Sequence, residues 1–312
     1  MTSLTLDNAS TLVIGGAGFV GSNLVRKLLA DGAASVTIVD NFLSADISNV
    51  PADPRVKLLR GSIADDEVLS KLPAGVDFIW HLACYHGNQS SIADPLADHA
   101  NNTITSLKLF NHIKDMTGLK KVVYAAAGCA VAEKTYAEAE ATLEDAPVSL
   151  FQDSPYSISK LVGEMYGNYF FTRYQLPFVK ARFQNVYGPG EILGAGDWRG
   201  TPHTVWRNVT PTFIFKALHG EALPLDNAGE TSRDFIFVED IVRGLIACAL
   251  KGQPGEAYNL ATGREVTIRE LADLINSETG NVAPHDLRPA RDWDKSGRRF
   301  GDPTKSRDKL GF

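Results

Sequence analysis

Residues 11–24, TLVIGGAGFVGSNL, run an apolar β-branched segment into three spaced glycines and then into a helix-like segment. Gly15, Gly18 and Gly21 permit a turn too tight for side chains, and they leave backbone N–H groups at a helix N-terminus, where the dipole favours an anion such as a pyrophosphate. The same alternation continues downstream. VTIVD (36–40), VKLLRG (56–61), DFIWHLA (77–83), KKVVYAAA (120–127) and FVKARFQNV (178–186) read as short strands. Segments of helical periodicity, such as SNLVRKLLADG (22–32) and ITSLKLFNHIKD (104–115), lie between several of them. Alternation of this kind predicts an α/β protein: a doubly wound parallel Rossmann sheet with helices on both faces.

After residue 186 the pattern changes. A Gly/Pro/Trp-rich loop (188–208) leads to a helix near 211–219, a strand DFIFVED (234–240), and helices over 241–252 and 267–280 that flank the short strand EAYNLATG. This half is irregular and polar at its loops, as a smaller α/β cap over a ligand would be. We divide the chain into a cofactor-binding domain, 1–180, and a substrate-binding region, 181–312, interleaved with the last strands of the sheet.

Composition narrows the function. A net charge of −6 lacks the basic face that nucleic acid needs, although RPAR (288–291) and SGRR (296–299) could hold a small anion. Three cysteines, Cys84, Cys129 and Cys248, are too few and too scattered for a disulfide framework or a metal site. Cys248, in the apolar run LIACAL, reads as core. With no secretory leader and no apolar run long enough for a membrane span, the chain reads as a cytoplasmic protein without a membrane partner.

Two further patterns carry chemistry. Asp40 ends the second strand about 20 residues past the glycine loop, where an acid accepts ribose hydroxyls and repels a 2′-phosphate, so NAD is expected rather than NADP. At 153–160, DSPYSISK, Ser154 is a helix cap and Pro155 suits the first turn. Tyr156 and Lys160 then share one helical face. A lysine ammonium beside a phenol is expected to lower its pKa from about 10 toward neutrality, making Tyr156 a general acid/base.

With GGAGFVG, DNF (40–42), HLA (81–83), SIADP (91–95), YSISK, RFQNVYGPG (182–190), RDFIFVEDI (233–241) and the tail DPTKSRDKLGF, the chain resembles the extended short-chain dehydrogenase/reductases. Within them it is most similar to the NAD-dependent nucleotide-sugar epimerases and dehydratases, UDP-sugar 4-epimerases in particular. The resemblance implies a tightly held NAD that is reduced and reoxidised in one turnover. Tyr156 would take the sugar hydroxyl proton, and Lys160 would hold the nicotinamide ribose. Phe19 and Val20 of the glycine loop, Asn41, Ser62, Ile63, Leu82 and Ala83 would line the cofactor. Asn185, Arg233 and Arg291 would meet the diphosphate of a UDP-sugar or other nucleotide diphosphate sugar, the arginines through their planar forks. Asn102 of NNTIT matches an asparagine that is usually structural and close to the active site. Trp198, Arg199 and His203, in a loop longer than the family's, are candidates for sugar or oligomer contacts. The resemblance also implies a homodimer joined through the helix bearing Tyr156 and the one before it. Relatives often run on past LGF into another helix, so a further C-terminal segment is expected.

The pattern breaks after the fifth strand. The family's Ser/Thr, which donates to the sugar oxygen beside the tyrosine, falls on Ala127. The Asp-Glu pair of the 4,6-dehydratases falls on Gly128 and Cys129, so a standard 4,6-dehydratase is not expected. Cys129 instead matches the acid/base cysteine of GDP-mannose 3,5-epimerases. His86, from the loop after the fourth strand, is the first choice for the missing donor, ahead of Asn88 and Gln89. The Asp that meets the adenine is replaced by Ser62. Three readings remain: C4 epimerisation of a UDP-hexose, hexosamine or hexuronate through a 4-keto intermediate; 3,5-epimerisation, dehydration or decarboxylation with Cys129 as acid/base; or a non-catalytic NAD-binding regulatory module.

Overall fold

A computed structural model describes residues 4–133, 137–191, 193, 208–294 and 296–312. Strands β1 (Ser10–Ile14), β2 (Ser35–Asp40), β3 (Val56–Arg60), β4 (Phe78–His81), β5 (Lys121–Ala127) and β6 (Phe178–Phe183) form one parallel sheet. Among the described residues, four short strands come between β6 and the sheet's last strand: β7 (Asn185–Tyr187), β8 (Pro224–Asp226), β9 (Ser232–Arg233) and β10 (Phe235–Phe237). Strand β11 (Ala257–Leu260) then returns to pair with β6, giving seven strands in the order β11-β6-β5-β4-β1-β2-β3. This is the doubly wound Rossmann sheet expected from the alternation. The order reverses between β1 and β4, and a ligand crevice opens there, beyond the carboxyl ends of the strands.

The period-2 pattern sorts side chains to two faces. Val13, Ile38, Trp80 and Val123 meet helices Phe19–Ala30 and Val238–Lys251, and the Trp80 indole donates to Leu245 O at 3.1 Å. Leu12, Ile14, Val122 and Phe178 meet Thr105–Ile113 and Pro155–Tyr174 on the other face. A smaller core of Phe213, Leu223, Leu225, Ala272 and Ile275 sits between helices Val209–Leu218 and Ile268–Thr279 and strand β8. The cap also contains β12 (Val266–Thr267), β13 (Asp286–Arg288) and β14 (Arg298–Arg299).

Three elements differ from the sequence reading. FVKARFQNV is two strands, because β6 pairs with β5 while β7 leaves the sheet to pair with β10. In DFIFVED only Phe235–Phe237 is extended; the helix begins at Val238, with Glu239 and Asp240 favourably placed in its first turn. The first helix begins at Phe19, directly after Gly18, so Gly21 lies inside its first turn.

Candidate active site

A single cavity of about 920 Å³ runs from the glycine loop, past Tyr156 and Lys160, to a group of cations in the cap. At the first end, Gly15 has φ +84°, and a Cβ there would stand 2.5 Å from the Ala83 nitrogen. A Cβ on Gly21 would stand 2.0 Å from Gly15 O, so the helix can approach the loop only without side chains. At Gly18 an added Cβ would meet only Gly15 O, at 3.4 Å. The loop is therefore a backbone cradle open to the cavity, and it fits a pyrophosphate. Asp40 is buried, and its two oxygens accept the backbone N–H of Ala17 and Phe42, each at 2.9 Å. Burial raises its pKa and these bonds partly offset that. Phe19, Val20, Asn41, Ser62, Ile63, Leu82 and Ala83 all border the cavity. The Ser62 hydroxyl accepts from Ala64 N at 3.1 Å, closing the turn locally, and Ile14 O receives both Leu82 N and Ala83 N at 2.8 Å.

Beyond it, the helix Pro155–Tyr174 starts as its sequence indicates, with the Ser154 hydroxyl accepting from Ser157 N at 3.2 Å. Tyr156 packs on Ala127, Ala130, Val131 and Leu161, with Cys84 and Cys129 against the same cluster. Lys160 donates to Ala125 O at 2.8 Å and lies 5.8 Å from the centre of the Tyr156 ring. The expected lowering of the tyrosine pKa is not found. Burial, aided by the nearby Cys84, Cys129, Tyr124 and Asp98, raises the Tyr156 phenol well above its ordinary value. Burial also works against the Lys160 charge, but Tyr124, Cys84 and Asp98 outweigh it and leave its pKa raised. The lysine is spent on a carbonyl and two ring faces, so in this wall desolvation wins over its field. Asn102 is buried in a π-helical turn (His99–Ile104) and holds the next loop. It accepts from Tyr85 N at 2.7 Å and donates to Tyr85 O at 3.1 Å. His86, in that loop, meets the Tyr156 ring edge-on at 5.7 Å between centroids.

On the cap side, Arg233, Arg291, Arg299 and Asn185 border the cavity. Arg233 donates to Asp294 Oδ2 at 2.8 Å, and Arg299 donates to Asp294 Oδ1 at 2.8 Å and to Asp153 Oδ2 at 2.6 Å. Burial beside Arg299 lowers the Arg233 pKa to about 10. Arg291 donates to Asp226 at 2.5 Å and is half-exposed over Trp293. Asn185 is exposed on β7, its N–H donating to Asp234 O at 2.9 Å. Of the two basic clusters, RPAR contributes Arg288 and Arg291 to the wall, and SGRR contributes Arg299, while Arg298 pairs with Glu265. Trp198, Arg199 and His203 lie outside the described residues. Among the described residues no His/Cys/Asp/Glu group is arranged for a metal, and no helix is long and apolar enough to cross a membrane.

A glycine cradle, an Asp-tipped second strand and a Tyr–Lys helix share one cavity, and residues 11–261 match the model of the NAD dependent epimerase/dehydratase family. The chain belongs to this family. A UDP-glucose 4-epimerase of Mycolicibacterium smegmatis is 30% identical over 306 residues, covering 97% of this chain and 92% of that relative. A dTDP-glucose 4,6-dehydratase of Streptomyces antibioticus is 28% identical, with 96% and 86% covered. The crystal structure of the Bordetella bronchiseptica enzyme WbmF in complex with NAD+ and UDP is 56% identical with a TM-score of 0.86, covering 98% of this chain and 87% of that one. Within this epimerase/dehydratase frame, sequence reading missed Cys84, Asp294, Asn208 and Glu191, all of which border the cavity. The residues HLAC and YGPGE gave a weak signal for two of them, since both follow strands that end at the crevice. Asp294 and Asn208 stand in polar stretches with no distinguishing spacing.

Proposed function

We propose that this NAD-dependent enzyme inverts C4 of a UDP-hexose, UDP-hexosamine or UDP-hexuronate. The carrying observation is the single cavity that joins the glycine cradle, the Tyr156–Lys160 pair and the Arg233/Arg291 wall. Residues 1–180 would hold the cofactor and 181–312 the nucleotide sugar, with Asn185, Arg233 and Arg291 on its diphosphate; UDP bound to the 56%-identical WbmF supports that base. When bound, oxidised NAD would supply a hydride acceptor and a positive ring charge that, with Lys160, favours the Tyr156 phenolate over the phenol, the phenol proton having passed to solvent. Tyr156 then takes the C4 hydroxyl proton as the C4 hydride leaves. After the 4-ketone turns over in the cavity, Tyr156 returns the proton while hydride arrives on the other face. Ala127 cannot donate to the sugar oxygen, and we assign that role to His86, whose ring touches Tyr156. The exposed Ile158, Met165 and Tyr169 on the Tyr156 helix support a homodimer.

A second reading has its own support: Cys129 borders the cavity and packs on the Tyr156 cluster, and in this reading its thiol would exchange a proton next to a C4 ketone. A non-catalytic NAD module would leave the arginine wall and the Tyr–Lys pair without use. Incubation with UDP-, GDP- and dTDP-sugars in deuterated water, read by NMR, separates the three. We expect C4 inversion of a UDP-sugar without solvent deuterium. Deuterium at C3 or C5, lost in Cys129→Ala, would establish the second reading, and NAD binding without turnover of any sugar would establish the third.

A further inference from the structure

One buried carboxylate beside the Tyr156 helix has no part in the chemistry proposed above. Asp98 closes the short helix Pro95–Asp98, is 2% exposed, and does not border the cavity. Its Oδ1 accepts from Asn102 Nδ2 at 2.7 Å, one turn on in the π-helical stretch. The Asn102 amide cannot be reversed, because Tyr85 N–H donates to its oxygen and a carboxylate only accepts. One Nδ2 hydrogen serves the carboxylate; Tyr85 O at 3.1 Å and Ser159 Oγ at 3.2 Å share the other. Ser159 stands immediately before Lys160 on the helix that carries Tyr156. Asp98 is thereby fixed behind the Tyr–Lys pair, away from the sugar. Lys160 is 3% exposed, donates to Ala125 O, and has no ion pair among the described residues. Burial opposes its charge, and of the groups that offset this, Tyr124, Cys84, Asp98 and Cys129, only Asp98 is a carboxylate.

We propose that Asp98 is a positioning residue: it is the counter-charge of Lys160, and it sets the pH range in which Tyr156 exchanges its proton. This rests on the reading of Tyr156 as the acid/base of the proposed function. There Tyr156 acts first as base and then as acid within one turnover. Lys160 favours the phenolate, which helps the first step and hinders the return. Beyond burial and the effects of Cys84, Cys129 and Tyr124, an ionised Asp98 pulls the other way, disfavouring a second negative charge on the phenol. Burial works against the Asp98 charge, and Ser159, Asn102, Lys160 and His99 work to keep it. Other titratable groups face the pair from each side. On β4, burial and Lys160 lower the His81 pKa to about 3. Burial raises the Tyr85 and Tyr124 phenols, with Asp94 adding to the first. His86 meets the Tyr156 ring, Glu164 is paired with Arg182, and the Arg233 charge reaches Cys129 from the cap. All of these are unchanged by a substitution at Asp98, so a difference between the two proteins isolates the carboxylate.

The decisive variant is Asp98→Asn, whose side-chain oxygen can still accept from Asn102 while the charge is gone. In the NAD-loaded protein with ¹³Cζ-labelled tyrosine, the NMR resonance that Tyr156→Phe removes reports the phenolate. Its midpoint should fall by about 0.5–1 pH unit, the size expected of one charge acting without contact. On the acid side of that midpoint the phenolate fraction then rises about 3- to 10-fold. Asp98→Glu keeps the charge and should titrate within about 0.2 unit of the wild type. Asp98→Ser also leaves Asn102 an acceptor, and it reads the loss of charge if the asparagine variant does not fold. With the UDP-sugar that turns over, the acid limb of kcat should move by the same interval, with KM changed less than about two-fold. An unmoved Tyr156 midpoint in the charge-free variants, or an acid limb that stays at its wild-type position, overturns the inference. A lowered midpoint in a protein that turns over no nucleotide sugar refutes the proposed function and leaves Asp98 as the counter-charge of the pair.

Discussion

Tyr156 is held by its ring, and its oxygen is the only atom that phenylalanine would lack. The ring packs on Ala127, Val131 and Leu161 and meets His86 edge-on, contacts that Tyr156→Phe retains. The substitution should therefore change stability by no more than about 1 kcal/mol. It should lower turnover by roughly 10²- to 10⁴-fold, the range for loss of a general acid/base. Chemical melts, bound-NAD content and turnover of the UDP-sugar substrate check this together; substantial turnover by the phenylalanine variant would remove Tyr156 from the proton transfer. The residues of this site that were readable in advance share one property: their chemistry is local. Gly15, Asp40, Ser154, Tyr156 and Lys160 stand at fixed offsets from a strand end or a helix start. Cys84 meets Cys129 against one cluster only because β4 and β5 are neighbours in the sheet. Asp294 matters because it bridges Arg233 and Arg299. Such roles depend on pairings between distant segments, which no spacing encodes. The tyrosine pKa departs from expectation for the same reason: helical spacing sets Lys160 beside Tyr156 but says nothing of the burial that outweighs it.

The helix Pro155–Tyr174 carries the Tyr–Lys pair and lies close on the sheet through two glycines one turn apart. A Cβ on Gly163 would stand 2.1 Å from the Tyr124 hydroxyl, and one on Gly167 would stand 2.0 Å from the Phe178 ring. Two effects of Gly167→Ala oppose each other. Alanine favours a helix interior by up to about 1 kcal/mol. Overpacking against a fully buried ring costs about 1–3 kcal/mol, because Phe178 sits among Phe110 and Tyr124 and has no empty space to enter. The clash should win, giving a net loss of about 1–2 kcal/mol in urea unfolding, with reduced turnover as the helix is pushed off β6. A stabilised Gly167→Ala would mean that the helix does not need this approach. At this scale the sequence was most legible where apolar runs end in turns, and least where one run changes partner. Phe178–Tyr187 stays strand-like throughout, yet Gln184 breaks it. Its amide packs where Cβ atoms on Gly128 and Gly301 would stand, at 2.3 and 2.7 Å. That contact unites three distant segments and turns β7 toward β10.

Across the whole molecule the sheet was legible because most of its strands are buried on both faces and read as continuous apolar runs, whereas the cap, whose strands are two or three residues long, has too little periodicity to read. The sheet also buries a titratable group that the proposed chemistry does not use. His81, at the end of β4, lies 3.0 Å from the Ser106 hydroxyl through Nε2, and its Nδ1 has no partner among the described residues. Burial, together with the nearby Lys160 charge, lowers its pKa from 6.5 to about 3. The unfolded chain therefore binds a proton near pH 6.5 that the folded protein refuses until near pH 3. The stability tied to neutral His81 is fully present above pH 6.5 and is lost progressively as pH falls below it. Between pH 6.5 and pH 5 the loss is about 2 kcal/mol. Buried Asp40, Asp98 and Asp234 act in the opposite sense, since burial raises their pKa values and protonation relieves it. The total pH curve mixes the two, and a difference isolates the histidine. Urea unfolding of the wild type and His81→Gln at pH 7.5, 6.5 and 5 should show the stability gap between them narrowing by about 2 kcal/mol toward acid. The carboxylates titrate in both proteins and cancel, whereas glutamine, which can still bond Ser106, has no proton to gain. A gap that stays constant across this range would mean that His81 is not the group that makes the folded sheet sensitive to acid.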